Sequence, residues 1–170
     1  MIETLRNSEI KKMAKSLVIV ESPAKVKTIK KFLGENFEVA ACMGHVRGLP
    51  SRPNSVDINN DFEPHYEILE QSAKNVKQIK KMVPSCKNIY LATDLDREGE
   101  AIAWHLLEAL GLNNNKKKKK QVDIRRITFH EITASAIEEA MKHPRKISMS
   151  LVDAQQARAV LDYLYGFNDL

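Results

Sequence analysis

Apolar residues along this chain come in short continuous runs that alternate with stretches of helical spacing. Leu17-Val18-Ile19-Val20 is rich in β-branched residues and too short for a helix, so it predicts a buried parallel strand. Ser22 then offers a capping hydroxyl, Pro23 suits a first helical position, and Val26, Ile29 and Leu33 share one helical face that Gly34 ends. Phe37 to Ala41 reads as a second strand. Gly44, Gly48, Pro50 and Pro53 punctuate a long loop, and the polar, weakly periodic residues 54–70 read as an insertion. Val76, Ile79 and Val83 predict an amphipathic helix closed by Pro84. The run Asn88-Ile89-Tyr90-Leu91-Ala92 predicts a strand, Ala101 to Leu110 an apolar helix stopped by Gly111, Ile124 to Phe129 a further strand, and Thr133 to Lys142 a further helix.

This alternation predicts an α/β fold, a parallel sheet with helices on both faces. Beyond Pro144 something new begins: Leu151, Ala154, Ala157, Val160, Leu161 and Leu164 mark a helix. Residues 1–14 carry no clear apolar period. The expected division is an N-terminal extension over residues 1–14, an α/β domain over 15–143, and the start of a helical second domain over 144–170.

Composition narrows the class only modestly. A chain of 170 residues can bury one full core. No stretch approaches ~20 apolar residues, so no membrane span is expected. Met1 to Met13 lack the apolar core of a signal peptide. Cys42 and Cys86 form no CxxC pair, which suits reduced thiols and a cytoplasmic setting. The net charge of +5 suits a phosphate-rich partner. Much of it comes from Lys116 to Lys120, beside Asn113 to Asn115, which reads as a solvated loop that adds salt-sensitive, non-specific affinity.

The chemistry concentrates in three segments. In Thr93-Asp94-Leu95-Asp96-Arg97-Glu98-Gly99-Glu100, Asp94, Asp96 and Glu98 leave the carboxyl end of a predicted strand, where open α/β sheets bind ligands. Hard oxygen ligands so clustered suit Mg²⁺. The plainer alternative is that Asp96 caps the helix that follows, with Glu98 and Glu100 favoured by the helix dipole. The second segment, Glu21-Ser22-Pro23-Ala24-Lys25, combines a carboxylate suited to acid–base or metal work with a helix N-terminus and a lysine that suit a phosphate. The third, Gly44-His45-Val46-Arg47-Gly48-Leu49-Pro50, offers His45 and Arg47 to a phosphate. Read singly, each of these has an ordinary structural explanation. All three leave carboxyl ends of predicted parallel strands, and their convergence on one crevice points to metal-assisted phosphoryl transfer.

These segments resemble the N-terminal part of the bacterial topoisomerase I family, type IA DNA topoisomerases built on a Toprim domain. The likeness is carried by Leu17–Ile29 (LVIVESPAKVKTI), Gly44–Pro50 (GHVRGLP), Leu91–Leu106 (LATDLDREGEAIAWHL), Arg126–Thr133 (RITFHEIT) and Asp153–Phe167 (DAQQARAVLDYLYGF). The resemblance implies a Rossmann-like Toprim domain and an ATP-independent, Mg²⁺-dependent cycle that relaxes negatively supercoiled DNA. A tyrosine cleaves one strand, another strand passes, and the break is resealed. It implies Glu21 near the scissile phosphate, and Asp94, Asp96 and Glu98 with Glu21 as the Mg²⁺ site. Lys25 would contact the phosphate, His45 and Arg97 would line the active site, and Arg47 and Arg158 would contact single-stranded DNA. It further implies a monomer acting at the nucleoid.

The chain also departs from the family pattern. Tyr66, Tyr90, Tyr163 and Tyr165 all lack the family nucleophile's context, so the chain is expected to be a fragment without the C-terminal domains and inactive in strand passage alone. Ala159 stands where a second arginine is common, Gly48 where an aspartate is common, and Met43 where a small residue is usual. Two rival expectations are a free-standing Toprim DNA-binding or regulatory module and a Toprim nuclease that uses water.

Overall fold

Leu17 to Val20 are 0% exposed in strand β1 (Ser16–Val20), so the continuous apolar run is covered on both faces. The computed structural model describes residues 15–113 and 122–168. The expected extension over residues 1–14 and the run Lys116 to Lys120 lie outside the described residues.

β1 is central in a four-stranded parallel sheet of order β2-β1-β7-β8, with β2 at Phe37–Ala41, β7 at Asn88–Leu91 and β8 at Asp123–Arg126. In register, Val18 faces Val39 on one neighbour and Tyr90 on the other. Alternate β1 side chains feed two cores, as the two-residue period of a strand requires. Leu17 and Ile19 pack with Val76 and Ile79 of α2 (Glu70–Met82) and Leu106 of α3 (Arg97–Ala109). Val18 and Val20 pack with Ile29 of α1 (Val26–Leu33) and Ile137 of α4 (Ala134–Lys142). The parallel sheet with helices on both faces is therefore the observed fold.

Two boundaries differ from expectation. Residues 54–70 are not featureless: together with the preceding loop they form two short antiparallel ribbons. One pairs β3 (Arg47–Gly48) with β6 (Glu67–Ile68), the other β4 (Val56–Asp57) with β5 (Glu63–Pro64). Pairs of two residues are too short for a period to show. The strand expected over Ile124 to Phe129 ends at Arg126. Ile127 and Phe129 are apolar because they pack in the core beneath α4, not because the ladder continues.

After Pro144 the chain forms α5 (Met149–Asn168), which packs against α3. The Tyr163 hydroxyl anchors this helix to the loop before β4: it donates to the Arg52 carbonyl at 2.6 Å and accepts from the Ser55 amide at 3.2 Å.

Candidate active site

The connections from β1 to β2 and from β7 to β8 run in opposite directions across the sheet, with α1 and α3 on opposite faces. The carboxyl ends of β1 and β7 therefore diverge from their helices and leave a crevice, the ordinary ligand position in such sheets. Glu21 follows β1 directly, and Asp94 comes three residues after β7. The Asp94 amide donates to Glu21 Oε1 at 2.7 Å, joining the two strand ends. Lys25 closes a short 3₁₀ turn (Pro23–Lys25) that is capped by Ser22, whose hydroxyl oxygen accepts from the Ala24 amide. From there its Nζ reaches Asp94 Oδ1 at 3.4 Å. Glu21, Lys25 and Asp94 thus meet as the sequence led one to expect.

The remaining acids take separate partners. Asp96 is the N-cap of α3, its Oδ1 accepting from the Gly99 amide at 2.6 Å. This is the capping role weighed against a metal role above. Glu98 Oε2 lies 3.1 Å from His45 Nε2, so the Gly44–Pro50 segment is tied to the acidic turn. Arg97 is exposed at the first position of α3. Arg158 is exposed on α5 and pairs along its own helix with Asp162 at 3.7 Å. Among the described residues, no three His, Cys, Asp or Glu side chains are gathered to hold an ion. Asp94 pairs with Lys25, Asp96 with the Gly99 amide and Glu98 with His45.

Beneath the acids lies a support that the sequence reading did not identify. A Cβ on Gly99 would meet the Asp94 carbonyl oxygen at 1.9 Å, so the backbones can approach only because residue 99 is glycine. The Thr93 hydroxyl donates to the Gly99 carbonyl at 2.6 Å. The Arg126 guanidinium, 0% exposed, donates to the carbonyls of Leu91, Thr93, Asp94 and Ile127 at 2.6–3.1 Å. Its Nε donates to Glu100 Oε1 at 2.9 Å. Glu100, also 0% exposed, further accepts from Arg145 and from the Ser148 amide, the latter at 3.0 Å. Burial pushes the Glu100 carboxyl up, but the bonds from Arg145 and Ser148 and the charge of Arg126 outweigh it, and the net shift is downward. The helix-dipole account of Glu100 missed this. The available signal was its position on one face with Ala103 and Leu107, both buried.

Arg47 is placed otherwise than as a simple phosphate contact. Its Nε donates to His105 Nδ1 at 3.1 Å, and its guanidinium carbon lies 5.2 Å and 5.1 Å from the ring centres of Tyr66 and Trp104. Burial, then the charges of Arg47 and His45, push His105 down to about 3, so its ring is neutral and accepts at Nδ1. A cleft of about 490 Å³ opens here between the Gly44–Pro50 segment and α5. The Tyr66 hydroxyl and Gln155 Oε1 lie in its wall, buried and without a partner among the described residues.

The comparisons with known proteins bear on the same residues. Residues 16–132 match the family described as Toprim domain. Among solved structures, the chain is similar to full-length topoisomerase I from Thermotoga maritima, with 42% sequence identity and a TM-score of 0.74 over 87% of this chain. The match spans 24% of that protein, so this chain corresponds to about a quarter of its length. The Toprim match begins at the first residue of β1, ends between β8 and α4, and takes in Glu21, Lys25 and the whole acidic turn, and the chain belongs to the Toprim domain family.

Proposed function

We propose that this chain supplies the phosphate- and metal-binding half of a type IA DNA topoisomerase active site. The observation that carries this reading is the joining of the Glu21 carboxylate to the Asp94 amide, with Lys25 paired to the Asp94 carboxylate. It brings an acid, a cation and a second acid to the β1/β7 crevice, where a phosphodiester is expected.

The donor set fits Mg²⁺. Glu21, Asp94, Asp96 and Glu98 are hard oxygen donors, and Mg²⁺ commonly takes one or two carboxylates and fills its shell with phosphate and water. Glu21 and Asp94 would hold it, with Asp96 and Glu98 completing the acidic surround. When bound, the ion would offset the repulsion between these acids and a phosphodiester and polarise the phosphoryl oxygens. Lys25 would move from Asp94 to the incoming phosphate, where its charge stabilises the negative charge that develops there. Glu21, fixed by the Asp94 amide, would hold or accept a proton at the scissile position. His45 would orient Glu98.

The DNA partner follows from the same reading. A single strand would cross the crevice and pass the cleft beside Arg47. Arg97 and Arg158 would contact its backbone. α5 would begin the second, helical domain, and the nucleophilic tyrosine would come from outside this chain. Tyr163 is engaged with Arg52 and Ser55, the Tyr66 hydroxyl is buried, and Tyr90 lies within β7. The full protein would act in the cytoplasm, at the nucleoid. No helix among the described residues is long and apolar enough to cross a membrane.

Calorimetric titration of Mg²⁺ into the wild type and an Asp94→Asn/Asp96→Asn variant tests the site, with and without a short single-stranded oligonucleotide. Tighter Mg²⁺ binding in the presence of the oligonucleotide, lost in the variant, is expected. Equal affinity in both proteins would remove the metal assignment. A covalent protein–DNA adduct formed by this chain alone would remove the division of labour.

A further inference from the structure

The Glu100 side chain bonds both the support of the acidic turn and the segment that leads into α5. On one side it bonds Arg126, whose guanidinium holds the carbonyls of Leu91, Thr93 and Asp94. On the other it bonds the Arg145 side chain and the Ser148 amide, immediately before the first residue of α5. The Ser148 carbonyl accepts the amide of Val152, itself 0% exposed, so the segment and the helix are one unit. A second, backbone link runs in parallel. Arg126 and Arg145 exchange amide–carbonyl bonds at 2.7 and 2.9 Å.

We infer that Glu100 is a positioning residue that couples the placement of α5 to the placement of the Asp94 carboxylate. The physical argument is one of alternatives. The buried Arg126 guanidinium is satisfied by Glu100 and by the carbonyls of Leu91, Thr93, Asp94 and Ile127, and the second Glu100 oxygen by the Ser148 amide. A displacement of the Arg145–Ser148 segment therefore leaves a buried carboxylate oxygen without its donor unless Glu100 follows it, and Glu100 draws Arg126 and the turn carbonyls with it. Side chains that orient first-contact ligands in this way commonly tune them strongly. The coupling rests on the proposed role of the acidic turn, and it gives a helix remote from the acids a means of adjusting them.

Arg145→Ala is the decisive variant. It deletes a half-exposed side chain that touches Glu100 but no residue of the turn, and the backbone link between residues 126 and 145 persists. In amide NMR spectra of the chain, the signals of Thr93 to Gly99 are expected to shift along with those next to residue 145, while those of β2 stay in place. Mg²⁺ affinity by calorimetry should fall about tenfold, and Arg145→Lys should restore part of it. If Arg145→Ala folds and shifts only signals adjacent to residue 145, the coupling is wrong. If wild type binds no Mg²⁺, the metal assignment fails, while the amide shifts of the turn still decide the coupling. Should Arg145→Ala fail to fold, the same spectra on Arg145→Lys decide it, since this variant keeps the charge but loses the guanidinium fork.

Discussion

Gly99 and Asp94 are in backbone contact: a methyl group on residue 99 would sit 1.9 Å from the Asp94 carbonyl oxygen and 2.9 Å from its nitrogen. Neither atom is the end of a flexible side chain, so one of the two backbones must give way. Gly99→Ala should therefore destabilise the fold by about 3 kcal/mol or more, or displace the acidic turn. Thermal denaturation and Mg²⁺ titration of the variant read the two outcomes separately. A variant matching wild type in both would show that the contact is not tight in solution.

Asp96 separates a capping role from a charge role. Asparagine caps helices about as well as aspartate, whereas alanine does not. Asp96→Ala should cost about 1 kcal/mol of stability through loss of the bond to the Gly99 amide. Asp96→Asn should leave the metal-free protein near wild-type stability while weakening Mg²⁺ binding. Equal destabilisation by both substitutions, measured by denaturant melts, would mean that the charge rather than the cap stabilises the turn.

His105 predicts a pH dependence. Its folded value is pushed down to about 3 from an ordinary 6.5, so between these values the unfolded chain binds a proton that the folded chain refuses. Stability contributed by the neutral ring is complete above pH 6.5 and is lost as pH falls. At pH 5 the loss reaches about 2 kcal/mol. Denaturation at stepwise pH should show this slope, and His105→Gln, which keeps an acceptor for Arg47, should flatten it. An unchanged slope in that variant would assign the acid sensitivity elsewhere.

Lys25 is expected to matter little for folding and much for chemistry. Its pair with Asp94 is exposed on both sides, 38% and 52%, and such pairs contribute less than about 1 kcal/mol. Lys25→Ala should thus melt close to wild type. In a longer topoisomerase carrying this domain, the same change should reduce DNA cleavage about 100-fold, because the charge would sit at the reacting phosphate. Cleavage that survives the substitution would place the phosphate elsewhere.

The parallel core was legible in the sequence because burial on both faces leaves a direct mark, a short β-branched run such as Leu17 to Val20. The meeting of Glu21, Lys25 and Asp94 was legible for a related reason. In a parallel sheet, residues that follow strands emerge at the same edge, so order along the chain becomes proximity in space. The Asp96 cap was legible only as one of two alternatives, since an aspartate before a helix looks the same whether it binds an amide or an ion.

What the sequence left open depends on contacts between distant segments. Arg126 and Glu100 are 26 positions apart; Glu100 read as an acid favoured by the helix dipole, and Arg126 carried no role of its own. Only the packed fold shows that both are fully buried and that together they hold the acidic turn. Arg47 likewise read as a phosphate or DNA contact, because nothing local announces that Tyr66 and Trp104 close around it. Periodicity records which side of an element is apolar. It carries no record of which partner a buried polar group finds, because that choice is made by desolvation and hydrogen-bond satisfaction once the chain has closed.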